Sequence, residues 1–293
     1  MSKILNNKLI LGTVQMGLFY GINNTKGQIT LNDSLEILEF AFDNGICTLD
    51  SAEAYGNAHE VIGKFHTKFP SKIFKVITKL PKQINYDIVD KVDGYLKDLN
   101  IKHIETLMFH SFNSYEKNIK KFEILRKLKA SNKIKTLGVS VYTNDEIEEV
   151  ILNEDIDIIQ LPFNLFDNTN LRNDILHKAK SKGKIIHTRS TLLQGLFFKD
   201  KNDSNQVVKK LKDELTLIFG ISKRDNISIS ELALSYCVHQ KTIDNVLIGV
   251  DSVNQLIGNI SSVNYKIQQK TIDSINAIKV QNLDLLNPSL WKK

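Results

Sequence analysis

The chain has 293 residues, 42% of them hydrophobic and 25% charged, which is ordinary globular material that can bury a large core without disulfides or a structural metal. That length fits two average domains or one large α/β barrel. The formal net charge of +6 is spread over scattered lysines, densest at Lys120–Lys121, Lys209–Lys210 and Lys292–Lys293. No aromatics interleave with them and no nucleic-acid motif occurs, so the charge reads as a solvated surface that could favour an anionic cofactor or substrate, with no nucleic-acid partner. Cys47 and Cys237 lie far apart, outside any CxxC pair or Cys/His cluster, as expected in a reduced, cytoplasmic setting. Met1 to Asn7 is short and polar, unlike a signal peptide, and no window approaches the ~18 continuous apolar residues of a membrane helix, so no membrane partner is expected.

Short β-branched and apolar runs recur along the chain: 8–12 (KLILG), 46–50 (ICTLD), 73–79 (IFKVITK), 104–110 (IETLMFH), 134–140 (IKTLGVS), 156–160 (IDIIQ), 184–189 (KIIHTR) and 245–249 (NVLIG). Each reads as a strand, and the spacing from the second to the seventh is that of a βα unit. Amphipathic helical patterns fill the gaps at 33–43, 57–69, 86–99, 115–130, 144–152, 230–239 and 252–262. Strands alternating with helices predict a parallel sheet covered by helices. Eight strands, only four prolines and no composition break or linker favour one domain over 1–293, a single (β/α)8 barrel with a parallel eight-stranded core. The segment 195–225 stands out as a candidate lid or cofactor clasp.

The residues that end the runs carry the chemistry. Asp50, Lys79, His110, Ser140, Gln160 and Arg189 each stand at the C-terminal end of an apolar strand, the face on which barrel enzymes assemble their sites. Taken singly, each has a plainer reading: a turn for Tyr55-Gly56, a lysine reaching to water for Lys79, a core histidine for His110. The remaining histidines lack metal-ligand spacing, so no metal is expected. Cys47 reads as a packing residue on a helix-covered strand, with no neighbouring base to activate it.

The segment 49–63, LDSAEAYGNAHEVIG, resembles the aldo-keto reductase family, whose pattern D-[TS]-A-x-x-Y-G-x-x-x-x-[LI]-G it matches at Asp50, Ser51, Ala52, Tyr55, Gly56, Ile62 and Gly63. The stretches LGTVQMG (11–17), VITKL (76–80), LMFH (107–110), LGVSVY (137–142) and VLIGVDSVNQLIGNI (246–260) resemble the same family in the same order. The resemblance implies a catalytic set of Asp50, Tyr55, Lys79 and His110: Tyr55 as general acid, Lys79 and Asp50 as its modulators, His110 orienting a carbonyl. Hydride addition to a carbonyl leaves negative charge on oxygen, which needs a proton and a polarising donor. An ammonium ~4 Å from a phenolate contributes ~4 kcal/mol at an effective dielectric of ~20, enough to draw a phenol of pKa ~10 toward neutrality, with burial opposing part of it.

No GxGxxG follows a strand, so a Rossmann domain is not expected. The resemblance implies instead a nicotinamide cofactor across the barrel mouth, with Gly12, Thr13 and Asp50 beside it, and Ser140 and Gln160 on the carboxamide. It further implies Ser190, Leu192, Gln194 and Gly195 around the pyrophosphate, and Gly249, Val250, Asp251, Gln255 and Asn259 at the adenosine end. Three positions depart from the family: Val141 replaces a common Asn, Arg189 stands where an aromatic ring commonly stacks on nicotinamide, and Asn254 and Gln255 replace an arginine that clamps a 2′-phosphate. NADP(H) is favoured on family habit, with NAD(H) as the alternative.

The expected activity is NAD(P)H-dependent reduction of an aldehyde or ketone, or the reverse oxidation, on a small-molecule carbonyl substrate. Resemblance to surface-sugar pathway proteins suggests a sugar or nucleotide-sugar carbonyl. A cofactor-binding regulatory barrel and a Schiff-base aldolase using Lys79 are the alternatives. Phe19, Tyr20, Phe112, Phe163 and Phe166 suggest an aromatic pocket or, equally, core packing. Oligomeric state is unreadable.

Overall fold

In the computed structural model, which describes residues 5–24 and 27–291, the apolar runs form β1 (Leu9–Gly12), β2 (Thr48–Asp50), β3 (Lys75–Leu80), β4 (Ile104–Phe109), β5 (Ile134–Ser140), β6 (Ile158–Pro162), β7 (Ile185–Arg189) and β8 (Asn245–Ile248). Every neighbour pair is parallel and β1 pairs with β8, so the eight strands close in sequence order. Lys292–Lys293 lie outside the described residues.

The helices are α1 (Leu31–Asp43), α2 (Ala58–Lys68), α3 (Ile88–Leu99), α4 (Phe122–Ala130), α5 (Asn144–Ile151), α6 (Thr169–Ser181), α7 (Lys212–Asp225), α8 (Ile229–Val238), α9 (Val253–Val263) and α10 (Gln269–Asn276). Polar side chains start them: Thr30 caps α1, Asp87 caps α3, and Thr143 with Glu146 and Ser228 with Glu231 form capping boxes on α5 and α8. The pattern over 115–130 predicted one helix, but the chain breaks at Asn118, whose side chain turns back to the carbonyl of Ser114.

Side chains alternate along each strand, so every second residue enters the barrel. Ile10, Ile77 and Met108, with Leu247 packed against them, form a small inner cluster separate from the large core between strands and helices. Met108 fits because Gly138 faces it; a Cβ there would meet Met108 Cε at 3.0 Å. One inward step beyond this apolar layer come Gly12, Asp50, Lys79, His110, Ser140, Gln160, Arg189 and Gly249, all lining one cleft. The inner cluster is therefore the floor on which the polar residues stand.

The 195–225 segment is packed rather than a loose lid: Leu196, Phe197, Val208, Leu211, Leu215 and Ile218 are all fully buried, and α7 occupies its second half. Cys47 is exposed just before β2, contrary to the packing role expected of it, while Cys237 is buried. Among the described residues, no helix is long and apolar enough to cross a membrane, and no group of three or more His, Cys, Asp or Glu could hold a metal ion.

Candidate active site

A cleft of about 770 Å³ opens at the C-terminal mouth of the barrel and runs from the strand ends to the N-terminal turns of α9, a size suited to a cofactor-sized ligand. At its floor the Lys79 ammonium donates to Asp50 Oδ1 and, at 3.0 Å, to the carbonyl of Ser51. Gln160 Nε2 donates to the other oxygen, Asp50 Oδ2, at 2.8 Å, and Thr13 donates from its amide and hydroxyl to the Asp50 carbonyl. The carboxylate is thus fixed from both sides. Lys79 and Asp50 are each 2% exposed, a charge pair that survives burial only because it is matched and hydrogen-bonded.

Tyr55 overhangs this pair. The Lys79 ammonium lies 5.3 Å from the centre of its ring, and the His110 ring meets it edge-on at 5.9 Å between centroids. Two glycines make the approach: a Cβ on Gly17 would lie 1.7 Å from the carbonyl oxygen of Tyr55, and one on Gly56 2.3 Å from that of Gly17. Gly56 also has φ +54°, a region that L side chains adopt at a cost. Behind the loop, Glu53 takes a hydrogen bond from the Tyr95 hydroxyl on α3 and pairs with Lys91 at 2.6 Å, while its amide donates to the Lys79 carbonyl at 3.2 Å.

Burial first, and the Asp50 charge second, push the Tyr55 phenol above the ordinary tyrosine value, with Arg189 opposing. The Lys79 ammonium expected to draw this phenol toward neutrality is instead paired with Asp50, and burial outweighs it. Burial pulls Lys79 down and Asp50 resists. His110 drops to about 4, by burial and then by the Lys79 charge, and His187 also drops to about 4 by burial. Both imidazoles are neutral near pH 7.

Of the residues expected to hold a cofactor, Gly12, Thr13, Asp50, Ser140, Gln160, Arg189, Ser190, Leu192, Gln194, Gly195, Gly249, Asp251, Gln255 and Asn259 all line this cleft. Val250 does not: its side chain is 2% exposed and belongs to the core, because alternation turns it outward from its neighbour Gly249. Val141 is fully buried in the same way. Arg189 lies over the Tyr142 ring at 4.1 Å and donates to Ser140 Oγ at 3.3 Å and to the Val141 carbonyl at 3.1 Å.

Several features fit a dinucleotide. Gln15 Oε1 is buried on the cleft wall without a hydrogen-bond partner among the described residues, an acceptor left for a ligand donor such as a ribose hydroxyl. Ser190, Leu193 and Gln194 all hold positive φ, strain of the kind that functional loops retain. This loop is tied to the one after β1 by Asn23 Nδ2 on the Gly195 carbonyl at 2.6 Å and by Gln194 Nε2 on the Tyr20 hydroxyl at 2.9 Å. The N-terminal turn of α9, capped by Ser252, brings Gln255 and Asn259 to the far end, where its dipole favours an anion. Among the described residues, Lys79 and Arg189 are the only lysine and arginine lining the cleft, and both are on its floor.

The expected aromatic pocket is only partly there. Tyr20 lines the cleft, but Phe163 and Phe166 are buried in the core, Phe112 packs against it, and Phe19 is 64% exposed. Gln15, Tyr142, Phe198, Ser228 and Ser230 line the cleft and were not anticipated. Only the capping box at Ser228 left a readable trace, through Glu231 three residues later.

A closed parallel barrel whose mouth gathers a buried ion pair, a tyrosine and a neutral histidine defines an enzyme of the barrel class. The chain matches the aldo/keto reductase family over residues 8–280, and it belongs to that family. It is 25% identical over 284 residues to an L-galactose dehydrogenase of Arabidopsis thaliana, covering 88% of both chains. It is 24% identical over 265 residues to an NADH-specific methylglyoxal reductase of Escherichia coli (strain K12), covering 76% of this chain and 80% of that protein. An aldo-keto reductase from Bacillus halodurans, solved in its holo form, superposes with a TM-score of 0.75 at 18% identity, over 94% of this chain and 93% of that one, and shares the fold. The protein is accordingly an NAD(P)-dependent oxidoreductase acting on carbonyl compounds.

Proposed function

We propose that the chain acts as a single domain over 1–293 and reduces a small polar aldehyde or ketone, with Tyr55 as proton donor, His110 as the group that orients the carbonyl, and Lys79 held by Asp50. The observation that supports this most is the convergence of those four residues at the floor of a cleft long enough for a dinucleotide. A bound dihydronicotinamide supplies the hydride. The chain's own residues supply the rest. A phenol raised above its ordinary value stays protonated at neutral pH, and it still donates to an alkoxide, a far stronger base than phenolate. Neutral His110 offers a ring N–H to the carbonyl oxygen without competing as an acid. The Lys79 ammonium lies 5.3 Å from the centre of the Tyr55 ring, and a unit charge pair at ~5 Å is worth about 3 kcal/mol at an effective dielectric of about 20, which Asp50 offsets in part.

The cofactor reading shifts from the family habit. A 2′-phosphate carries about two negative charges and calls for a cation, yet among the described residues the far end of the cleft is lined by Asp251, Gln255, Asn259 and serines. NAD(H) is therefore favoured over NADP(H), in keeping with the named preference of the E. coli relative. A polyhydroxy carbonyl substrate accords with the sugar-dehydrogenase name of the plant relative and with a substrate end of Tyr20, Tyr142, His110 and Arg189. A Schiff-base role for Lys79 is disfavoured because its ammonium is committed to Asp50 and to the Ser51 carbonyl. The regulatory-barrel alternative predicts cofactor binding without turnover.

The test is titration with NADH and NADPH, followed by turnover on a panel of aldoses, small aldehydes and ketones. Binding of NADH at least tenfold tighter than NADPH, with turnover of one carbonyl class, supports the reading. Binding of neither cofactor defeats it.

A further inference from the structure

The cleft floor does not balance its charges. Asp50 and Lys79 cancel, and the nearby buried Asp167 is matched by Arg172 at 2.6 Å. His110 and His187 are neutral near pH 7. Arg189 remains: among the described residues no carboxylate lies within ion-pair distance of its guanidinium, which is held instead by Ser140 Oγ, the Val141 carbonyl and the Tyr142 ring. The floor therefore carries one uncompensated positive charge. Its field reaches the reacting groups, because Arg189 acts on Tyr55, Lys79 and His110 alike.

We propose that Arg189 biases the site toward the reduced cofactor, and so toward carbonyl reduction. This rests on the reading of the cleft as a nicotinamide site. A hydride donor must sit ~3–3.5 Å from the carbonyl carbon whose oxygen takes the Tyr55 proton, which puts its ring in the field of Arg189. In the reaction, two electrons and a hydrogen pass to carbon, the Tyr55 proton passes to oxygen, and the nicotinamide ring changes from neutral to a unit cation. A fixed guanidinium repels that cation and leaves the neutral ring untouched. At an effective dielectric of about 20, two unit charges within ~8 Å of each other repel by an amount that corresponds to roughly thirtyfold in affinity or more. An aromatic ring at this position would impose no such penalty. Arginine makes the oxidised product easier to release and the reverse reaction harder to start.

The experiment is equilibrium titration of the full chain with NADH and with NAD⁺, read by fluorescence and calorimetry, for wild type, Arg189→Gln and Arg189→Lys. The expected result is that wild type binds NADH about thirtyfold tighter than NAD⁺, that Arg189→Gln brings the ratio to within about threefold of unity, chiefly by tightening NAD⁺, and that Arg189→Lys keeps most of it. A wild-type ratio near one overturns the proposal without any variant. So does a ratio that persists in Arg189→Gln while both forms still bind. If wild type binds neither form, the nicotinamide reading itself fails, an outcome distinct from a ratio that does not move.

Discussion

Replacing Gly17 by alanine tests how the loop bearing Tyr55 is seated. The new Cβ would stand 1.7 Å from the Tyr55 carbonyl oxygen and 2.8 Å from the Ala58 amide nitrogen, both backbone atoms that cannot swing aside. Ordinary contact begins near 3.5 Å, so the turn Val14–Gly17 and the β2–α2 loop must part by roughly 1.5 Å. Overpacking of this kind costs about 1–3 kcal/mol, and a 1 Å misplacement of a reacting group costs about a hundredfold in rate. Gly17→Ala should therefore lower the melting temperature by several degrees and turnover by about a hundredfold, while binding at the α9 end of the cleft persists. Gly94→Ala is the control: it lies within α3 with nothing near its Cβ position, so it should stabilise by about 0.5–1 kcal/mol through helix propensity and leave turnover unchanged. Thermal melts and steady-state kinetics on both variants decide it. Wild-type stability and turnover in Gly17→Ala would refute the packing argument.

Acid sensitivity follows from the buried imidazoles. His59, His110 and His187 are each held down to about 4, whereas an unfolded histidine titrates near 6.5. Their contribution to stability is fully present above pH 6.5 and is lost as pH falls toward 4, at about 2 kcal/mol each by pH 5. Urea melts should show the loss between pH 7 and pH 5, and a flat profile there would contradict it. Tyr95→Phe removes the hydroxyl that holds Glu53 behind the loop bearing Tyr55; turnover should fall severalfold with NADH affinity unchanged, whereas an equal loss of both would point to general unfolding. Asp50→Asn leaves the Lys79 ammonium buried without its counter-charge, so it should cost about 3–5 kcal/mol of stability, measured by thermal or urea unfolding; a loss below 1 kcal/mol would mean that the pair is not the anchor of the floor.

The barrel was legible because its strands are short, buried runs at the spacing of a βα repeat, and the candidate site because six of the eight runs end on a polar residue that inward alternation turns toward the barrel mouth. What escaped the sequence had physical causes. Helix α6 buries only Arg172, Ile175, Leu176 and Ala179 along a mostly polar segment, too sparse an apolar stripe to stand out. Helix α7 lies in the stretch read as a lid, where it buries only Leu215, Ile218 and Ile221 along a mostly polar segment. Phe163 and Phe166 could not be assigned to core or cleft without knowing which way the chain turns after β6. The pKa of Tyr55 was misjudged because an attractive partner can be named from sequence, while the carboxylate that cancels it and the burial that outweighs it are properties of the folded cleft.

The most direct measurement is Tyr55→Phe followed by two readings on the same sample, NADH affinity and single-turnover reduction of the best carbonyl from the panel. If the phenol is the proton donor proposed, its removal should leave NADH affinity within about twofold and slow reduction by about a thousandfold, within the ~10²–10⁴-fold contribution of a typical acid catalyst. Reduction at the wild-type rate by Tyr55→Phe would contradict a proton supplied from that phenol.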